Sequence, residues 1–188
     1  MGAAVSEGMK ERLAGAMWEN RLVRFTTRFE SNAIKGYVAG VGPRFFLMSI
    51  VSDRIWYEGF EAFRVEDVEN LRDAPNRGFV ETALRVRGDP RPDAAGLNLE
   101  TTEQLLLTAA ARFPLISLHH EVLDPEVCWI GRLVRVGGGV VTLREVGPGA
   151  EWLEELYDYR LDDLTRIGFG QDYEDALYRV AGEPPANG

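Results

Sequence analysis

His119 and His120 stand side by side, with Glu121, Asp124 and Cys128 within nine residues of the first. Imidazole, thiolate and carboxylate are the ligand types that zinc takes. A cysteine near a histidine is also the pairing used for nucleophilic catalysis. The spacing argues against both readings. Adjacent residues on a strand point to opposite faces, so the two imidazoles cannot share one ion. No C-x-x-C or H-x-x-x-H spacing supports them. The expectation is one buried and one exposed strand histidine, with Cys128 a small core residue. No catalytic residue, metal ligand or cofactor site is assigned.

Three other groups invite chemistry. Glu151, Glu154, Glu155 and Asp158, then Asp162-Asp163, are an acidic run. General acid–base work needs carboxylates held in a pocket, and a solvated acidic loop is the expected form. Gly137-Gly138-Gly139 resembles a phosphate loop only in composition. Phosphate-cradling glycines lead into a helix, whereas apolar β-formers follow here, which predicts a hairpin turn. Trp56, Tyr57 and Trp152 fall in expected loops between strands, where aromatic rings could stack bases or anchor a partner.

The whole chain bounds these options. It has 188 residues and a net charge of −9. Residues 1–94 carry 14 basic and 14 acidic side chains, and residues 95–188 carry 7 and 16. Long-range repulsion therefore disfavours RNA and anionic membranes. Any polyanion would meet the first half, through a local arginine cluster. No apolar run is long enough for a membrane span. One cysteine, Cys128, precludes an internal disulfide, which suits a cytoplasmic protein. The start matches the M-G-x-x-x-S acylation pattern but lacks a secretory apolar region.

The elements that would position these residues occur twice. Phe63 to Leu71 (FRVEDVENL) aligns with Tyr159 to Ile167 (YRLDDLTRI), offset by 96. Upstream, Gly36 to Gly42 aligns with Gly131 to Gly137 at 95. Downstream, Glu81 to Leu84 aligns with Glu174 to Leu177 at 93. Three blocks in one order imply a tandem duplication with loop-length differences. Each copy opens with a helix: Val5, Met9, Leu13, Ala16 and Met17 recur at helical spacing. Thr101 and Gln104 form a capping box before Leu105, Leu106, Ala109 and Phe113, and Pro114 stops that helix. Strands are expected at 22–30, 34–41 and 45–51, and at 115–123, 129–136 and 140–146. A fourth strand over 57–71 and 157–169 continues or bends into a fifth. The blocks 80–86 and 173–180 are helix or strand, with a helix after Asp172 preferred. Residues 1–87 form the first copy, 88–98 a linker, 99–182 the second copy and 183–188 a disordered tail.

A helix followed by five bent strands resembles the Sm-like (LSm) plan. Gly36, Val38 and Val41, and Gly131, Leu133 and Val136, are similar to its first motif. Arg64 and Arg160, each followed by an aliphatic residue, are similar to its second. The resemblance implies a mostly β chain with short helices, built as two tandem Sm-like (SH3-like) barrels. It also implies RNA contacts from an Asp, an Asn and an Arg-Gly pair. Those positions hold Gly42 and Gly137, then Phe46 and Val141, and Val65 and Leu161 replace the second glycine. Only Arg64 and Arg160 match. Members of the family assemble edge to edge, so three duplicated chains could close a pseudo-sixfold ring. The expected function is a non-catalytic binding or scaffolding protein, self-assembling or bound to a protein partner. The alternative is a single-stranded RNA binder using Arg64, Arg160, Trp56, Tyr57 and Trp152.

Overall fold

The computed structural model describes residues 2–185, with the side chains of 2–5 left aside. The side chain of Val5, expected on the first helical stripe, and residues 186–188 of the expected tail lie outside the described residues. The chain divides into two compact units, Met1–Ala95 and Gly96–Gly188.

The first unit runs α1 (Gly2–Trp18), β1 (Leu22–Thr27), β2 (Ile34–Val41), β3 (Phe45–Val51), β4 (Tyr57–Arg64), β5 (Val68–Asp73) and α2 (Arg77–Arg87). The second runs α3 (Thr102–Ala110), β6 (Ile116–His119), β7 (Cys128–Gly137), β8 (Val140–Val146), β9 (Trp152–Arg160), β10 (Arg166–Phe169) and α4 (Asp172–Ala181). Single 3-10 turns, Val65–Asp67 and Leu161–Asp163, join the fourth strand to the fifth in each unit. The chain is therefore mostly β with short helices, and the undecided last block of each half is a helix.

Both units order their antiparallel strands alike: β5-β1-β2-β3-β4 in the first and β10-β6-β7-β8-β9 in the second. The fourth and fifth strands of a unit do not pair with each other. Each unit is thus an open sheet, not the closed barrel expected from sequence. Closure needs a long-range pairing that alternation of residues cannot specify.

Local chemistry explains the bends. The second strand of each unit slips register at the same place, between Val38 and Gly40 and between Leu133 and Arg135. Just before each slip stands a glycine whose Cβ would collide with a carbonyl oxygen, Ser49's at Gly36 and Arg144's at Gly131. The close approach excludes any side chain there. Gly138 and Gly139 connect β7 to β8 with φ of 62° and 79°, as a two-residue hairpin with both positions left-handed requires.

Helices cover the sheet. In the first unit Leu13 and Ala16 of α1 pack on Phe25, Phe46 and Phe63, whose rings meet at 5.1–5.9 Å. Val80 and Leu84 of α2 cover Leu22, Tyr37 and Val51. In the second unit Leu177 of α4 packs with Leu115 and Val146. Thr101 caps α3 by accepting from the Gln104 amide at 3.1 Å. Burying such large apolar side chains stabilises each sheet by roughly 2–3 kcal/mol per residue. The segment expected as a linker is partly docked: the Arg91 guanidinium lies 4.4 Å from the Tyr37 ring centroid and donates to Asn20.

No helix among the described residues is long and apolar enough to cross a membrane.

Candidate functional site

The two arginines of the second motif occupy equivalent corners but differ in state. Arg64 ends β4 and is buried. Its Nε donates to Asp67 Oδ2 at 2.6 Å, and Arg28 Nε approaches Asp67 Oδ1 at 2.8 Å. The Arg28 amide also donates to the Asp67 carbonyl at 3.0 Å. Arg64 therefore fastens the turn instead of facing solvent. Arg160 is 71% exposed, and its Nε is 3.6 Å from Asp163 Oδ2.

The three aromatic residues cover the C-terminal helix of their own unit. The guanidiniums of Arg54 and Arg87 lie over the Trp56 ring, at 5.6 and 5.3 Å from its centroid. Tyr57 opens β4 and meets Tyr37 at 6.4 Å between centroids. Trp152 opens β9, packs with Leu177, and donates from Nε1 to the Gly182 carbonyl at 3.2 Å. All three are half-buried.

The histidines also differ from expectation. His119 ends β6 half-buried, and His120 is buried against Trp129 and Tyr159, at 5.2 and 5.5 Å between centroids. Burial, then the neighbouring Arg166 and His120, bring the His119 pKa down to about 3. Burial also lowers His120. Both imidazoles are neutral near pH 7. The Tyr159 hydroxyl donates to Glu145, and burial raises both groups. Cys128 lies opposite His119 in the β6–β7 ladder but is exposed, not a core residue. Among the described residues no group of three or more His, Cys, Asp or Glu side chains is placed to hold a metal. The acidic run is only partly a loop: Glu151 precedes β9 and Asp162-Asp163 sit in the 3-10 turn, but Glu154, Glu155 and Asp158 are exposed on β9 itself.

One constellation comes together only in the fold. Arg24 of β1 stands directly opposite Lys35 of β2 and Arg72 of β5. Directly opposed residues share a sheet face with Cβ atoms about 5 Å apart, and like charges so placed repel. None of the three has a carboxylate within 4.0 Å among the described residues. The signal in the sequence was the arginine-rich first half; strand register selects which cations meet.

No protein-family model, curated protein or solved structure matches this chain. Its chemistry must be read from its own geometry. That geometry offers a cationic sheet face in one unit, a packed aromatic–histidine cluster in the other, and strand edges in both.

Proposed function

We propose that this chain is a non-catalytic binding or scaffolding protein made of two Sm-like copies, and that it self-assembles through its sheet edges. The observation that carries the reading is the common strand order, in which each unit has its fourth and fifth strands at the ends of its sheet. A shared order, shared 3-10 turns and shared glycine contacts are what a duplicated domain would retain. Edge strands need a partner or protection. β9 is nine residues long, pairs on one side only among the described residues, and exposes Leu156 and Tyr157. β5 also pairs on one side only. Pairing β9 of one chain with β5 of the next would repeat head to tail and close when the rotation allows. Three chains would give the pseudo-sixfold ring. An unknown protein partner supplying a strand is the other occupant of the same edge.

The single-stranded RNA reading keeps exposed Arg160 but loses Arg64 to its ion pair with Asp67. The half-buried aromatics and the net charge weaken it further. Cytoplasmic residence rests on the lone cysteine.

Light scattering on the purified chain tests assembly. A mass near three chains is the expected result. A mass of one chain at high concentration rules out self-assembly and leaves the heterologous partner.

A further inference from the structure

We propose that the cationic face of the first unit is a phosphate-binding site, taking the dianionic phosphate monoester of a small ligand. A cavity of about 270 Å³ opens there; Arg24, Thr26, Ser31, Asn70 and Arg72 line it beside the apolar Phe25 and Ala33. Its polar side chains are two guanidiniums, two hydroxyls and an amide, with no carboxylate among them; Thr26 also donates to the Glu69 carbonyl at 3.5 Å. Arginine's planar fork matches phosphate oxygens, and charge-assisted bonds of this type are about twice as strong as neutral ones.

The site is held in shape before any ligand arrives. Asn70 has a left-handed backbone, φ 51°. Its Nδ2 donates to Thr26 Oγ1 at 3.1 Å. Arg72 donates from Nε to the Asn70 carbonyl at 3.3 Å and from Nη2 to Asn70 Oδ1 at 3.4 Å. These bonds fix Arg72 without neutralising it. Arg24 has neither a hydrogen-bond nor an ion-pair partner among the described residues. Glu69, opposite Thr26, lies beyond 4.0 Å of all three cations, and Asp73, opposite Val23, is paired with Arg21.

The fold does not require these charges. In the second unit the position corresponding to Arg24 by strand register is Ser117, flanked by Ile130 and Gly168. That row is neutral. A row of three cations, carried by only one of two units with the same plan, costs stability unless an anion offsets it.

The test is amide-shift NMR with inorganic phosphate as the probe, run against equal ionic strength of chloride. Saturable shifts at Thr26, Ser31 and Asn70 are expected, with phosphate raising Tm by linkage. Arg24→Gln and Arg72→Gln should each weaken binding about tenfold while leaving the remaining spectrum unchanged. Lys35→Gln should weaken it less. Both arginine variants should melt no lower than the parent, because each relieves repulsion. Shifts that chloride reproduces, or that survive in the arginine variants, overturn the site. A decauridylate without terminal phosphate supplies phosphodiesters alone. If it binds here and inorganic phosphate does not, the small-ligand assignment is wrong and the backbone of a nucleic acid takes its place.

Discussion

Arg64 and Asp67 are locked together across a single 3-10 turn, Nε to Oδ2 at 2.6 Å, with both side chains buried. The equivalent pair in the second unit, Arg160 and Asp163, is looser and mostly exposed on the arginine side. Removing one partner of a buried pair leaves an uncompensated charge and costs about 3–5 kcal/mol, whereas exposed pairs contribute about 0–1 kcal/mol. Asp67→Ala should therefore lower stability by about 3 kcal/mol or more in urea melts. Asp163→Ala should change it by less than about 1 kcal/mol. Equal effects would show that burial does not separate the two turns.

Gly36→Ala and Gly131→Ala each push a methyl group into a backbone carbonyl. Overpacking of this kind costs about 1–3 kcal/mol. Gly8→Ala is the control: its added carbon meets nothing within 4 Å and it lies inside α1. It should gain up to about 1 kcal/mol from helix propensity. Thermal melts of the three variants give the comparison, and a neutral Gly36→Ala would contradict the close approach of β2 and β3.

Acid should destabilise the second unit through its histidines. His119 is depressed to about 3 by burial, Arg166 and His120, and burial depresses His120 in the same direction. The unfolded chain, with histidines near 6.5, takes up these protons first. Their contribution to stability is thus complete above about pH 6.5 and is lost as pH falls toward the folded pKa. The slope approaches about 1.4 kcal/mol per pH unit for each histidine that remains neutral when folded. Urea midpoints between pH 7 and 5 measure it, and His119→Phe should flatten the curve. An unchanged slope would mean that His119 protonates in the native state.

Leu156→Lys places a charge on the exposed side of β9. If this strand joins neighbouring chains, the variant should scatter as a single chain while its circular dichroism is unchanged. Retention of the parent's mass would put assembly on another surface.

Several elements can be read from the chain because their signals are local. The bounds of β2, β3 and β8 match the apolar, β-branched and aromatic runs between glycines, residue for residue. β6 stops at His119 although the expected strand runs on to Leu123. The amides of Leu123 and Asp124 both donate to the His120 carbonyl, making a turn that leaves Val122 and Leu123 exposed. Hydropathy alone cannot see that turn. Arg64 read as an available cation because its motif says nothing of Asp67's burial. The aromatics read as loop anchors because the helices they cover were undecided. Arg72 lies far along the chain from Arg24 and Lys35, and only the registers of β1 with β2 and β5 bring the three together.

The exposed carboxylates of β9 have a consequence for misfolding. An open edge that exposes Leu156 and Tyr157 is a template on which other strands can grow. Glu154, Glu155 and Asp158 act there as gatekeepers, since stacked copies of the strand would bring like charges into register. Neutralising them would leave the native sheet's own pairing with β8 in place. It would also give the edge the composition of a fibril seed.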